Sequence, residues 1–135
     1  MPHIVVEYSA NLRERLAPQR LVDRLHQTAL ATGVFPVGGT RTRAVEREHY
    51  RIADGHADNG FVHVTMDIGA GRDLETKQRA AGAVFDALVA HTQALFAESP
   101  LGLTLELRES DPQLSFKHNN LHDYVKARQA GRERP

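Results

Sequence analysis

Apolar and polar residues alternate from Pro2 to Tyr8, placing Ile4, Val6 and Tyr8 on one face and His3, Val5 and Glu7 on the other, the period of a β-strand. Leu21, Val22, Leu25 and Ala29 then recur at helical spacing, with Pro18 suited to the first turn and Gly33 to a left-handed cap. Residues 34–39, with Pro36 and the Gly38-Gly39 pair, predict a loop, and Thr40 to Val45 a short strand with Arg41 and Arg43 on one face. A polar run from Glu46 ends on the turn signal Asp58-Asn59-Gly60, and Phe61 to Ile68 follows as a β-branched strand. Gly69-Ala70-Gly71-Arg72 closes that strand, and Asp73 can cap a long helix ending near Ser99-Pro100. Its predicted buried stripe is Ala81, Val84, Phe85, Leu88, Thr92, Leu95 and Phe96. Leu103, Leu105 and Leu107 alternate with Thr104, Glu106 and Arg108, the pattern of a strand with one buried face. A short helix from Asn119 to Lys126 comes last, and residues 127–135 form a polar, Arg-rich tail expected to fray.

This order predicts an α+β fold: two βαβ units in one mixed sheet, joined by right-handed crossovers, with both long helices on one face. The other face is then bare, and oligomerisation is its natural cover. A length of 135 residues suits one domain, taken as residues 1–126, with the tail outside it. Seventeen Lys and Arg balance seventeen Asp and Glu, so no net field draws the chain to nucleic acid or to an anionic membrane. Lys126 at the domain's end, with Arg128, Arg132 and Arg134 in the tail, would support salt-sensitive nucleic-acid binding, but Glu133 interrupts them. The absence of Cys excludes disulfides, thiolate metal sites and a Cys nucleophile, and is compatible with a reducing cytoplasm. The N-terminus meets Glu7 after three apolar residues, too soon for a signal-peptide core, and the expected location is cytoplasmic.

Candidate chemistry begins at Pro2. It reads either as the tolerated proline at the start of an edge strand or, if Met1 is removed, as a free secondary amine able to serve as a base. Cationic neighbours and a dry pocket would lower the pKa of such an amine, since both disfavour its protonated form. Arg41, Arg43 and Arg72 each read as solvated surface charges or, converging, as a clamp for a polyanion. Arg72 follows glycines that permit close backbone approach and precedes a helix N-terminus, although no P-loop signature is present. His118 and His122 are four apart without a zincin motif, the spacing of His49, His56 and His63 is broken by Gly55 and Asn59-Gly60, and no Ser lies in a nucleophile elbow. No metal site is expected.

Pro2-His3-Ile4-Val5-Val6-Glu7, Ala31-Thr32-Gly33-Val34-Phe35-Pro36, Arg41-Thr42-Arg43, Ala53-Asp54-Gly55, Phe61-Val62-His63, Ile68-Gly69-Ala70-Gly71-Arg72 and Phe116-Lys117-His118-Asn119-Asn120 together resemble the 5-carboxymethyl-2-hydroxymuconate isomerase family. That family sits in the tautomerase superfamily beside 4-oxalocrotonate tautomerase and macrophage migration inhibitory factor, and the resemblance runs from Pro2 to about Lys126. It implies a tautomerase-like homotrimer with sites between subunits, a processed amino-terminal proline as general base and no cofactor. It also implies ketonisation of 5-carboxymethyl-2-hydroxymuconate, a dienol of homoprotocatechuate degradation, to 5-carboxymethyl-2-oxo-hex-3-ene-1,6-dioate. Pro2, Arg41 and Arg72 carry over as catalytic residues; Arg43 joins them in substrate binding by strand alternation alone. Phe35, Phe61 or Phe116 would supply the apolar wall beside the amine. The same scaffold would also serve a tautomerase of another 2-hydroxydienoate or enol, or a nonenzymatic trimeric binding protein.

Overall fold

The computed structural model describes residues 1–135. Strand β1 (His3–Ser9) leads through a 3-10 turn into α1 (Arg13–Leu16) and α2 (Pro18–Ala31). Then come β2 (Arg41–Arg47), β3 (Gly60–Gly69), α3 (Leu74–His91), α4 (Gln93–Glu98), β4 (Leu101–Ser110) and α5 (Leu121–Gln129). The sheet order is β2-β1-β3-β4, with β1 parallel to β2, β1 antiparallel to β3 and β3 parallel to β4. Each parallel pair is therefore joined through helices, as a parallel connection requires.

One side chain in two along β1 and β3 enters the core: Ile4, Val6 and Tyr8, then Val62, Val64, Met66 and Ile68. Leu21, Leu25 and Ala29 of α2 and Ala80, Val84 and Leu88 of α3 cover that layer from one side, each set stepping by four residues along its helix. Fully burying one such large aliphatic side chain contributes roughly 1.5–3 kcal/mol, so the layer carries most of the fold's stability. Pro18 opens α2 at its first turn, and Gly33, at φ +74°, closes it. Asp73 caps α3 by accepting from the Thr76 amide at 2.8 Å.

Three expectations need correction. The predicted single helix from Asp73 to Ser99 is broken at Thr92, whose buried hydroxyl donates to the Leu88 carbonyl at 2.8 Å. That break turns the following face, so that Leu95 is buried while Phe96 is 60% exposed; ahead of it, Ala80 is fully buried and Ala81 only partly so. The third concerns the tail, because α5 runs on to Gln129. Ala127 is fully buried, and the Arg132 amide closes the helix by donating to the Ala127 carbonyl at 2.7 Å. The boundary after Lys126 thus falls inside a helix. No helix is long and apolar enough to cross a membrane.

Candidate active site

Pro2 is buried immediately before β1, and its carbonyl accepts from the Arg41 amide at 3.0 Å. This bond starts the β1–β2 ladder, whose register pairs His3 with Arg41 and Val5 with Arg43. The alternation that put Arg41 and Arg43 on one strand face thereby brings Arg41 beside the amino terminus. Arg41 is half-buried, and its Nη1 donates to the Gly39 carbonyl at 3.1 Å. Arg43 is exposed and donates to Nδ1 of His3 at 3.1 Å. Since a guanidinium can only donate, His3 Nδ1 accepts and the ring is neutral with its proton on Nε2. Burial first, then Arg43 and Arg41, lower the His3 pKa, partly opposed by Asp67, its register partner on β3.

Arg72 reaches the site from the turn between β3 and α3. Gly71 holds φ +117°, a backbone that side-chain-bearing residues rarely adopt, and directs the chain so that Arg72 folds back. Its Nη1 donates to the Gly69 carbonyl at 3.3 Å and its Nη2 to the Val34 carbonyl at 3.2 Å, while the guanidinium lies 5.2 Å from the centre of the Phe35 ring. Two carbonyls and an aromatic face fix this cation in place.

Beside these residues opens a cavity of about 360 Å³, bounded by Met1, His3, Arg41 and Asp67 on the sheet side and by residues 115–118 on the other. Met1 packs into the corner, its Sδ 3.6 Å from Asn119 Nδ2. The Met1 amino group has a pKa below the ordinary value. Burial is the largest cause, followed by Lys117, Arg72 and Arg41. Three cations thus act on the amino terminus, though Arg72 does so from outside the cavity wall. A larger, more open groove of about 420 Å³ between α3 and β4 is lined by Ala81, Phe85, Leu103 and Leu105 and gathers no cation.

Of the sequence candidates, the structure brings Pro2, Arg41 and Arg72 around the amino terminus and turns Arg43 toward His3. Phe35 carries Arg72, and Phe116 borders the cavity while remaining 91% exposed. Phe61 stands at the far end of the sheet, its amide bonded to Ser9 Oγ, about 20 Å along β1 from Pro2, and is no part of the site. His118 borders the cavity from an extended segment, whereas His122 lies on α5 against Gly38, so the two do not share a helix face. No group of three or more His, Asp or Glu side chains could hold a metal ion. Sequence reasoning missed His3, Asp67 and Lys117. The only signal for Lys117 was its place in the Phe116-to-Asn120 motif.

Known proteins resemble this chain over nearly its whole length. A model of the family described as 5-carboxymethyl-2-hydroxymuconate isomerase matches residues 2–125. A 5-carboxymethyl-2-hydroxymuconate Delta-isomerase from Escherichia coli is 40% identical over 126 residues, 93% of this chain and 100% of the relative. The crystal structure of a 5-carboxymethyl-2-hydroxymuconate isomerase from Deinococcus radiodurans R1 superposes with a TM-score of 0.87 at 37% identity, covering 92% of this chain and 93% of that one. A fused 4-OT described as a symmetric trimer shares the fold, with a TM-score of 0.63 at 17% identity over 89% of this chain and 95% of that one. The family model over residues 2–125, the relative 40% identical along its whole length and the shared fold place the chain in the 5-carboxymethyl-2-hydroxymuconate isomerase family.

Proposed function

We propose that the protein is an isomerase that ketonises 5-carboxymethyl-2-hydroxymuconate in the cytoplasm, using Pro2 as its base once Met1 has been removed. The observation that carries this reading is the convergence of Arg41, Arg72 and Lys117 on a partly buried amino terminus. Removal of Met1 transfers the free amine to Pro2, one residue inward, and empties the corner by Asn119 and Gly39 that Met1 fills. The same cations then act on the Pro2 amine and shift it toward the neutral form that a general base requires.

In this mechanism the Pro2 nitrogen takes the proton of the dienol hydroxyl, and the electron pair left on oxygen forms the new carbonyl. The double bonds shift along the chain, and the conjugated carbon at the far end takes the proton back from the Pro2 ammonium. Negative charge grows on the oxo end during the first half, and fixed guanidinium groups there lower the barrier because they need no reorganisation. Arg41 and Arg72 bind the carboxylate and oxo groups; Arg43 supports them through His3 rather than by contact. Three chains assemble into a trimer that covers the open face of the sheet.

Intact mass followed by ultraviolet detection of ketonisation tests the reading. Expected are a chain lacking Met1 and a turnover that collapses in Pro2→Ala and Arg72→Ala. A processed chain that is no faster than solvent would remove the substrate assignment.

A further inference from the structure

Lys117 stands on the open segment between β4 and α5 and takes part in none of the chain's ion pairs, which engage Arg13, Arg15, Arg47, Lys77 and Arg108 instead. It borders the cavity with Arg41 and Met1, next to the Ser115 hydroxyl. Among the cations acting on the amino group it ranks first, ahead of Arg72 and Arg41.

The neighbouring arginines are partly engaged by the protein itself. Arg72 directs Nη1 and Nη2 to two backbone carbonyls, Arg43 is engaged by His3, and Arg41 gives one N–H to Gly39. A guanidinium fork pairs one carboxylate at a time, so a dienol with three carboxylates presents one more than Arg41 and Arg72 together can clamp. On the sheet side Asp67 repels an anion, and the opposite wall is the one that carries Lys117. A lysine ammonium on a four-carbon stem has three rotatable donors and needs no fixed approach, which suits the flexible carboxymethyl arm of such a ligand.

We propose that Lys117 is a specificity-determining residue whose ammonium holds the carboxylate that Arg41 and Arg72 leave unpaired, so that the site selects tricarboxylates over dicarboxylates. This rests on the isomerase reading for the identity of the substrate, but the anion preference can be measured without turnover. Because Lys117 is exposed, its replacement leaves the core untouched.

The test uses the chain lacking Met1, titrated calorimetrically with the unreactive propane-1,2,3-tricarboxylate and with glutarate, in the parent, Lys117→Gln, Lys117→Arg and the surface control Lys126→Gln. Loss of a charged hydrogen-bonded contact weakens tricarboxylate binding by about tenfold or more in Lys117→Gln. Glutarate binding stays within about twofold, Lys117→Arg restores most of the loss, and Lys126→Gln changes neither ligand. In turnover of the dienol the same loss falls on KM rather than on kcat. Equal losses for both ligands, no loss for either, or a parent without preference for the tricarboxylate each overturn the proposal. A parent that binds the tricarboxylate through Lys117 yet ketonises nothing overturns the isomerase reading alone.

Discussion

A secondary amine is a poor base at neutral pH because it is protonated there, and burial with like charges corrects this. Both influences act on the amino terminus. Below its pKa the Pro2 ammonium cannot take the hydroxyl proton, so kcat/KM should fall on the acid side at a pH lower than an ordinary amine would give. Arg72→Gln removes one cation, raises that pKa and moves the acid limb upward, which a pH–rate profile of the parent and variant reads directly. The same substitution should cost about 10²-fold or more in kcat/KM if the guanidinium meets developing charge. Arg72→Lys should recover little, since an ammonium cannot reach both the Gly69 and Val34 carbonyls while lying on Phe35. His3 gives a separate prediction about stability. Its folded pKa lies below 6.5, so as pH falls through that value the unfolded chain binds a proton that the fold resists. Stability should therefore decline on the acid side until His3 titrates in the folded chain, and His3→Gln should flatten that part of a melting-temperature profile.

At the level of elements, what the alternation of residues reveals is which side chains share a face, and what it conceals is which strand lies beside which. The pairing of Arg41 and Arg43 on β2 was legible for the first reason, and the glycines before Arg72 marked a turn with a special backbone. Lys117 and Asp67 were illegible because they reach the amino terminus only through β1–β3 pairing and the return of the chain after β4. Phe61 looked suitable by type, but antiparallel register carried it to the other end. The break at Thr92 was hidden because a threonine at the right spacing satisfies a helical stripe, whereas its buried hydroxyl competes for the Leu88 carbonyl. Packing of α5 onto the loop before β2 was equally unreadable, yet it depends on one residue. A Cβ on Gly38 would lie 2.8 Å from Cα of His122, so Gly38→Ala must push α5 away. Overpacking of this kind costs about 1–3 kcal/mol, and here it also shifts Asn119 beside Met1. Chemical denaturation should show the loss. Unchanged stability would mean that α5 docks more loosely than the close approach implies.

The sheet of the single chain is covered on one side only. Across its other face run Arg41, His3, Asp67 and Arg108 in one row and Arg43, Val5, Thr65 and Glu106 in the next. These side chains are polar enough to stand in water and mixed enough in sign to meet a copy of themselves, which is what the proposed trimer requires of them. Val5 is the apolar centre of the second row, in register with Arg43 and Thr65 and turned away from the core. Val5→Arg places a second cation beside Arg43 without touching Ile4 or Val6, so it should leave the subunit folded while opposing assembly. Sedimentation equilibrium is expected to give a particle of three chains for the parent and a single chain for Val5→Arg, with circular dichroism unchanged in shape. Activity should follow the assembled fraction on dilution if neighbouring subunits complete each site. A parent that sediments as one chain would remove the trimer from the proposal. A variant that keeps the parent's mass would instead place the contact elsewhere, on the apolar surface formed by α3, α4 and β4 where Val89 and Phe96 are exposed.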